Sequence, residues 1–336
     1  MTTDDINQLI EGGRFPVACK QPELIETHIS WVILCDEFVY KIKKPVHYSF
    51  LDFSTIQKRH HYCQEEIRLN WRLTFNIYLD IVPVQTNQGL VNLGKGPGKI
   101  IDYAIRMRRL PAERQMNRLV ANHEVDEEDM DRLAKHIAAF HLKAGAIKLH
   151  DGNKIGVKFN DLALEREYLL KHLKKSTAEL VDKAVAISNT FLARHQQLLI
   201  NRVERGYIRD VHGDLHTRNV FLLPEPVIFD CIEFNSTYRQ IDLLNEIAFM
   251  AMDLEAAGKN DLSQLFVDHY CNAYGLTLTE DETKLLNYFK MYRANVRAKV
   301  NCLRARSAVS DVVRQSALGE SSKYLELMSR YFELVQ

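Results

Sequence analysis

His212-Gly213-Asp214-Leu215-His216-Thr217-Arg218-Asn219, followed at a short interval by Val227-Ile228-Phe229-Asp230, is the stretch whose reading decides the fold. Residues 220–223 and 227–229 are short apolar runs on either side of Pro224-Glu225-Pro226, the pattern of a β-hairpin. Such a hairpin returns Asp230 to the side of Asn219. The carboxamide of Asn219 and the carboxylate of Asp230 are oxygen donors of the kind a hard divalent cation prefers. Asp214 is then left to act on a proton. This division of labour is the one phosphoryl transfer needs: one Asp orients the attacking hydroxyl and accepts its proton, while an Asn and a second Asp hold magnesium. A bare His-Gly-Asp is compatible with an ordinary turn; the spaced Asn and the strand-ending Asp make the pattern specific.

Asn219 stands five residues after Asp214, the interval that separates Asp from Asn in the kinase catalytic loop. The block H-G-D-L-H-x-x-N resembles the aminoglycoside phosphotransferase and choline kinase branch of the protein-kinase-like superfamily. The strings Phe38-Val39-Tyr40-Lys41-Ile42-Lys43-Lys44-Pro45-Val46, Phe50-Leu51-Asp52-Phe53-Ser54 and Asp230-Cys231-Ile232-Glu233-Phe234-Asn235 are similar to a bacterial subgroup of uncharacterised aminoglycoside phosphotransferase family enzymes. Members of that subgroup are often fused to a P-loop kinase-like domain; this chain contains no G-x-x-x-x-G-K-[ST]. The resemblance implies an α+β, bilobal protein-kinase-like fold, with a β-rich nucleotide lobe at residues 1–109 and a mainly helical catalytic and acceptor-binding lobe at residues 110–336. It also implies Mg2+ and a co-substrate, ATP or GTP.

The pattern along the chain agrees with that order of elements. Residues 24–27, 31–34 and 38–43 read as strands, and Ser54-Thr55-Ile56-Gln57 reads as a capping box that starts a helix near Thr55 running towards Leu73. Residues 77–86 and 99–107 read as two further strands around a glycine-rich turn, Gly94-Lys95-Gly96-Pro97-Gly98-Lys99, which lacks the interval and the hydroxyl of a P-loop. Beyond Pro111 the pattern turns helical at 127–143, 161–173, 177–205 and 241–257, and from 280 to the end.

Nucleotide phosphates need a strand lysine held by a helix carboxylate. Lys41 and Lys43 share one strand face by the two-residue period, so spacing alone does not separate them; the family pattern matches Lys41, with Glu66 on the following helix as its partner. No G-x-G-x-x-G precedes the lysine. In its place Thr27-His28-Ile29-Ser30 is a polar turn in which Thr27 and Ser30 are candidates for phosphate contact or for a plain hairpin. The backbone at Arg106 and Met107 is the candidate for adenine.

On the acceptor side, His216 is a candidate for substrate contact or loop support, and His212 is read as a loop-fixing histidine. Glu233 is a candidate third carboxylate, and Asp242 resembles the family's brace for the catalytic loop. Lys290, Arg293, Arg297, Asn301 and Arg304 fall within an arc of about 80° on one helix. Such a stripe, Arg293 and Arg297 included, suits an anionic, sugar-like acceptor, because arginine binds carboxylate and phosphate bidentately; a salt-bridged solvated face is the alternative.

Composition sets the remaining bounds. The 336 residues carry 44 Lys and Arg against 44 Asp and Glu, so no overall field favours nucleic acid or a membrane surface. The six cysteines form no C-x-x-C pair, which argues against a zinc site or a disulfide framework and for a reducing compartment. Met1-Thr2-Thr3-Asp4-Asp5 has no basic-then-apolar order, and no uncharged apolar run reaches membrane length. The expectation is a cytoplasmic phosphotransferase with a small-molecule acceptor; a nucleotide-binding pseudokinase that regulates a partner is the competing reading, because the nucleotide loop is altered.

Overall fold

The computed structural model describes residues 1–48, 50–148, 153–308 and 310–336. The chain divides into two compact units, Met1–Gln115 with Asn219–Tyr238, and Met116–Arg218 with Arg239–Gln336.

The first unit is built on an antiparallel sheet. Its strands are β1 (Glu23–Glu26), β2 (Ser30–Leu34), β3 (Phe38–Lys43), the short pair β4 (His47–Tyr48) and β5 (Leu51–Asp52), then β6 (Tyr78–Asn87), β7 (Leu90–Leu93) and β8 (Lys99–Arg108). The main sheet runs β1-β2-β3-β8-β6-β7, with helix α1 (Thr3–Gly12) and helix α2 (Ile56–Asn70) as its covers. Side chains alternate across a strand, and this assigns each cover to a face. Tyr40 and Ile42 of β3 join Trp31, Ile33, Val84 and Ala104 against Ile6 and Leu9 of α1. Val39 joins Ile105, Met107 and Tyr78 against Cys63 and Ile67 of α2. Lys41 and Lys43 share the Val39 face, and so point at α2.

Helix α1 is absent from the sequence expectations, although Thr2 and Asp5 form a reciprocal capping box ahead of Ile6 and Leu9. The cap of α2 also differs. Thr55, not Ser54, accepts from Lys58 N, because Ser54 is already tied to Asp52 through its own N and Oγ. Cys19 and Cys35 form a disulfide, against the expectation from cysteine spacing. The two are 16 residues apart in sequence, yet the segment after α1 returns to the β2–β3 turn and brings their Cα atoms to 5.0 Å, a separation suited to a bridge. Val220–Phe221 pairs antiparallel with Val227–Ile228, the expected hairpin.

The second unit is helical: α3 (Met116–Ala121), α4 (Glu127–Lys143), α5 (Asn153–Asn160), α6 (Arg166–His172), α7 (Lys175–Arg194), α8 (Gln196–Glu204), α9 (Leu243–Ala256), α10 (Asn260–Tyr274), α11 (Glu280–Arg306) and α12 (Asp311–Arg330). Every residue of α9 from Leu243 to Leu254 is buried, with α10, α11 and α12 packed around it. The helix expected over 177–205 is broken at His195. Its backbone leaves the helical region at φ −104° and ψ 20°, while its Nδ1 donates to Phe191 O and its ring stacks on Phe191. The stretch expected as one helix over 161–173 starts as a 3-10 turn, Asp161–Glu165, before α6. Helix α10 was not anticipated. Among the described residues no helix is long and apolar enough to cross a membrane.

Candidate active site

In the first unit, five charged side chains form a ladder. Lys41 Nζ donates to Glu66 Oε1 at 2.8 Å and to Asp230 Oδ1. Lys43 Nζ donates to Glu66 Oε2 at 2.6 Å and to Glu233 Oε1. Burial by itself would raise the Glu66 carboxyl, but Lys41 and Lys43 hold it down at about 2. Burial disfavours the charge of Lys41, yet Asp230 and Glu66 outweigh it and keep the lysine firmly protonated. The two lysines that periodicity could not separate differ in access: the Lys41 side chain is 12% exposed and that of Lys43 is 1% exposed. Glu65, beside Glu66 in sequence, pairs with Arg68.

The loop after the hairpin is held at several points. Asp230 N donates to Tyr78 Oη at 3.0 Å, and Cys231 N to Asn70 Oδ1 at 3.0 Å. Asp230 has φ 66°, in the left-handed region that Asp tolerates better than most residues and that is enriched at functional positions. Its side chain is 41% exposed, so a carboxylate oxygen is presented to solvent while the backbone is pinned. Phe229 N donates to Asn219 O at 3.1 Å, which places the two candidate metal ligands on adjacent chain segments. Their donor chemistry fits a hard cation that keeps water or phosphate oxygens as its other ligands. Among the described residues no group of three or more His, Cys, Asp or Glu side chains could hold a metal by itself.

Two expectations in this unit change, those for Ser30 and for the Arg106–Met107 backbone, and Thr27 keeps both of its readings. Ser30 is buried and its Oγ has no hydrogen-bond partner, so it does not offer its hydroxyl to solvent. Thr27 is exposed, but its Oγ1 accepts from Ser30 N at 2.9 Å and closes its own turn. Arg106 and Met107 lie where β8 is flanked by β3 and β6; the sheet takes up their backbone groups, and the chain leaves the sheet only after Arg108. The Arg106 side chain is committed to Asp80 at 2.9 and 2.7 Å.

In the second unit the loop carrying Asp214 is bonded to its own histidines. Asp214 N donates to His212 Nδ1 at 3.2 Å, and Arg218 N to His216 Nδ1 at 3.3 Å. Both rings therefore carry their proton on Nε2, and His216 Nε2 stands 3.3 Å from Asp214 Oδ2. Burial opposes charge on Asp214, but His216, His212 and Arg297 outweigh it and hold the carboxyl well below its usual range. A carboxylate this acidic is better suited to orienting a hydroxyl than to removing its proton outright. Gly213 has φ 90°, a conformation that favours glycine.

The brace of this loop comes from α9, and the expected residue is not the one that supplies it. Asp242 receives Arg202 Nε and Nη2 at 2.6 and 2.8 Å and caps α9 through Leu244 N. One turn later, Glu246 accepts from His212 N at 2.8 Å and from Gly213 N at 3.1 Å. Asp253 takes Thr217 N at 3.0 Å and Thr217 Oγ1 at 2.6 Å. Burial pushes the Glu246 carboxyl up to about 7, against the pull of Arg293 and the two backbone N–H groups. Glu246 and Asp253 are the two carboxylates within the buried run Leu243–Leu254 of α9, and carboxylates in such a run demand buried partners.

The basic stripe of α11 is largely taken up by the fold, and only Arg304, near the end of the helix, is exposed. Lys290 pairs with Glu255 at 2.6 Å. Arg293 is 5% exposed and donates to Gly213 O at 3.1 Å and Asn245 O at 3.2 Å, its guanidinium stacked on Phe249. Arg297 is half-buried and lies over Tyr324. Arg293 thus supports the backbone of the Asp214 loop instead of facing solvent.

No family model matches the sequence. An uncharacterised protein of Mycobacterium tuberculosis is 30% identical over 296 residues, covering 86% of this chain and 57% of that protein. An uncharacterised protein of Mycobacterium bovis matches to the same extent. The chain thus spans little more than half the length of the curated relatives it matches. Among solved structures, a choline/ethanolamine kinase family protein from Mesorhizobium loti aligns with a TM-score of 0.54 at 11% identity, covering 100% of this chain and 99% of that one. An aminoglycoside phosphotransferase in complex with GDP and kanamycin aligns with a TM-score of 0.52 at 16% identity, over 94% and 95% of the two chains. An ethanolamine kinase of Plasmodium vivax aligns with a TM-score of 0.50 at 12% identity, over 90% and 81%. At these identities the likeness is one of fold, and the chain has the bilobal protein-kinase-like fold of the choline/ethanolamine kinase and aminoglycoside phosphotransferase structures.

Proposed function

We propose that this chain is a magnesium-dependent phosphotransferase that moves the γ-phosphoryl group of ATP or GTP to a hydroxyl of a small molecule. The observation that carries the reading is Lys41, held between Glu66 and the exposed carboxylate of Asp230. A lysine that is charged, pinned and partly exposed beside a hard-oxygen donor is what nucleotide phosphates and their magnesium need. Asn219 and Asp230 are the proposed metal ligands; bound there, magnesium would offset charge on the transferred phosphoryl group. Asp214, kept ionised and aimed by His216, is the proposed orienter of the acceptor hydroxyl. Thr27 remains a candidate phosphate contact through its exposed turn, and the base is assigned to backbone beyond Arg108. Glu233 and Arg293 are committed within their own units, which leaves Arg297 as the stripe's candidate for an anionic acceptor.

The fold neighbours support the reading in kind, since their names are those of small-molecule kinases and one was captured with GDP. Cytoplasmic placement belongs to the same proposal. The test is consumption of ATP and of GTP, with and without magnesium, against pooled sugars, sugar acids, amino alcohols and aminoglycosides. Acceptor-dependent, magnesium-dependent turnover that vanishes in Asp214→Asn supports the reading. Nucleotide binding without turnover against every pool would favour the pseudokinase reading instead.

A further inference from the structure

We propose that Lys43 is a positioning residue of the nucleotide site: by bridging Glu66 and Glu233 it sets the geometry of the Lys41–Asp230 pair. The inference rests on the phosphotransfer reading and deepens it. Lys43 does not meet a ligand itself, because its side chain is 1% exposed and both of its carboxylate partners are buried. Stability gives no reason for its presence. Desolvating an ion pair costs about as much as the pair returns, and an apolar side chain of similar volume usually serves a core as well or better. Met would fit the Val39 face of β3, where the neighbours are Cys63 and the ring of Phe53, which lies 4.9 Å from Lys43 Nζ.

What Lys43 does is divide Glu66. One carboxylate oxygen goes to Lys41 and the other to Lys43, so Lys41 is held by half of a carboxylate rather than clamped by all of it. The second bond of Lys43 runs to Glu233, three residues beyond Asp230 on the same loop. Together with Tyr78 Oη on Asp230 N and Asn70 Oδ1 on Cys231 N, it fixes the loop along its length to β3, β6 and α2. The cluster holds two lysines against Glu66, Asp230 and Glu233, one negative charge in excess. Of these five side chains Asp230 is the one most exposed to solvent, which is where a cation arriving with phosphates would be accepted. Without Lys43, both Glu66 oxygens compete for Lys41, Glu233 loses its cation, and the far end of the Asp230 loop is released.

The experiment is a double-mutant cycle on the full chain with K43M, E233Q and K43M/E233Q. Affinity for the magnesium complex of a nonhydrolysable ATP analogue, and of the corresponding GTP analogue, is measured by calorimetry, with thermal stability recorded in parallel. Residues that orient a metal ligand from behind typically change metal affinity about 10- to 100-fold when removed. K43M and E233Q are each expected to weaken binding at least about tenfold, and the double variant to be no weaker than the worse single one. A purely structural lysine would lower the melting temperature and leave the affinity of the folded protein unchanged. Wild-type affinity in folded K43M, or losses that multiply in the double variant, overturns the inference. If K43M does not fold, E233Q cuts the same bond from the other end with little change of shape, and unchanged affinity there overturns it equally. If the wild-type chain binds neither analogue, the phosphotransfer reading fails first, before any variant is made.

Discussion

Removal of the Glu246 carboxylate should unseat the Asp214 loop, and the size of the effect follows from what the carboxylate holds. In Glu246→Ala the backbone N–H groups of His212 and Gly213 lose an acceptor at 2.8 and 3.1 Å. Glu246 is 0% exposed, so water does not replace it readily. Each buried donor left without a partner costs about 1–3 kcal/mol. Arg293, 3.9 Å away, is left without its carboxylate as well. The loss is therefore expected at about 3–5 kcal/mol, a large share of the roughly 5–15 kcal/mol that holds a typical domain folded. Both tryptophans, Trp31 and Trp71, lie in the first unit, so fluorescence would miss the event. Urea unfolding of the helical unit followed by circular dichroism reads it, and hydrogen exchange over residues 211–217 should rise selectively.

The same carboxyl predicts a pH signature. Its pKa in the folded chain, about 7, lies above the ordinary glutamate value near 4.3. A carboxyl raised in this way contributes stability when protonated: fully below about pH 4.3, progressively less as pH rises, and not at all above about 7. At about 1.4 kcal/mol per unit, the span amounts to roughly 4 kcal/mol. Glu246→Gln, which cannot titrate, should lose that slope, so its stability relative to wild type should improve between pH 4.5 and 7. A Glu246→Ala variant as stable as wild type, with unchanged exchange at His212 and Gly213, would refute the bracing role. An identical pH slope in Glu246→Gln would refute the titration.

Further outcomes follow from the same geometry. Asp214→Asn should keep the fold and nucleotide affinity while turnover with the identified acceptor falls about 10²- to 10⁴-fold, the usual span for a lost acid–base group; wild-type turnover removes Asp214 from the chemistry. Asp230→Ala should abolish the magnesium dependence of nucleotide-analogue binding, because a hard-oxygen ligand is lost; an unchanged dependence means that the metal sits elsewhere. Arg293→Ala should lower stability by about 3 kcal/mol or more, since two bonds from a charged donor to Gly213 O and Asn245 O go with it. Arg297→Ala, at a half-buried position, should leave stability nearly intact and raise the Michaelis constant of an anionic acceptor. A cationic acceptor, or unchanged kinetics, reduces Arg297 to a packing residue.

The sequence by itself determined those features that are written in local spacing. The interval from Asp214 to Asn219, the turn at 224–226 and the hairpin that returns Asp230 all lie within a stretch short enough for turn chemistry and strand period to dictate. Helix α4 was legible to its ends because an apolar stripe and a cap coincide there. Glu66 was legible only through the family pattern, since Glu65 lies on the same helix. Period says which face a side chain takes and is silent about what lies opposite. Lys41 and Lys43 share a face, and only the packing of α2 and of the loop after the hairpin left one partly exposed and sealed the other between two glutamates. The arc of Arg293 and Arg297 was read correctly as an arc, but whether it meets solvent, substrate or the Gly213 carbonyl depends on α9 and on a loop 80 residues earlier. Asp242 and Glu246 differ by one helical turn, and the choice between brace and cap was made by where Arg202 and the His212 backbone happen to stand. Buried charge is the common physical reason: a carboxylate or guanidinium taken out of water must find a partner, the partner is distant in the chain, and only the tertiary fold brings the two together.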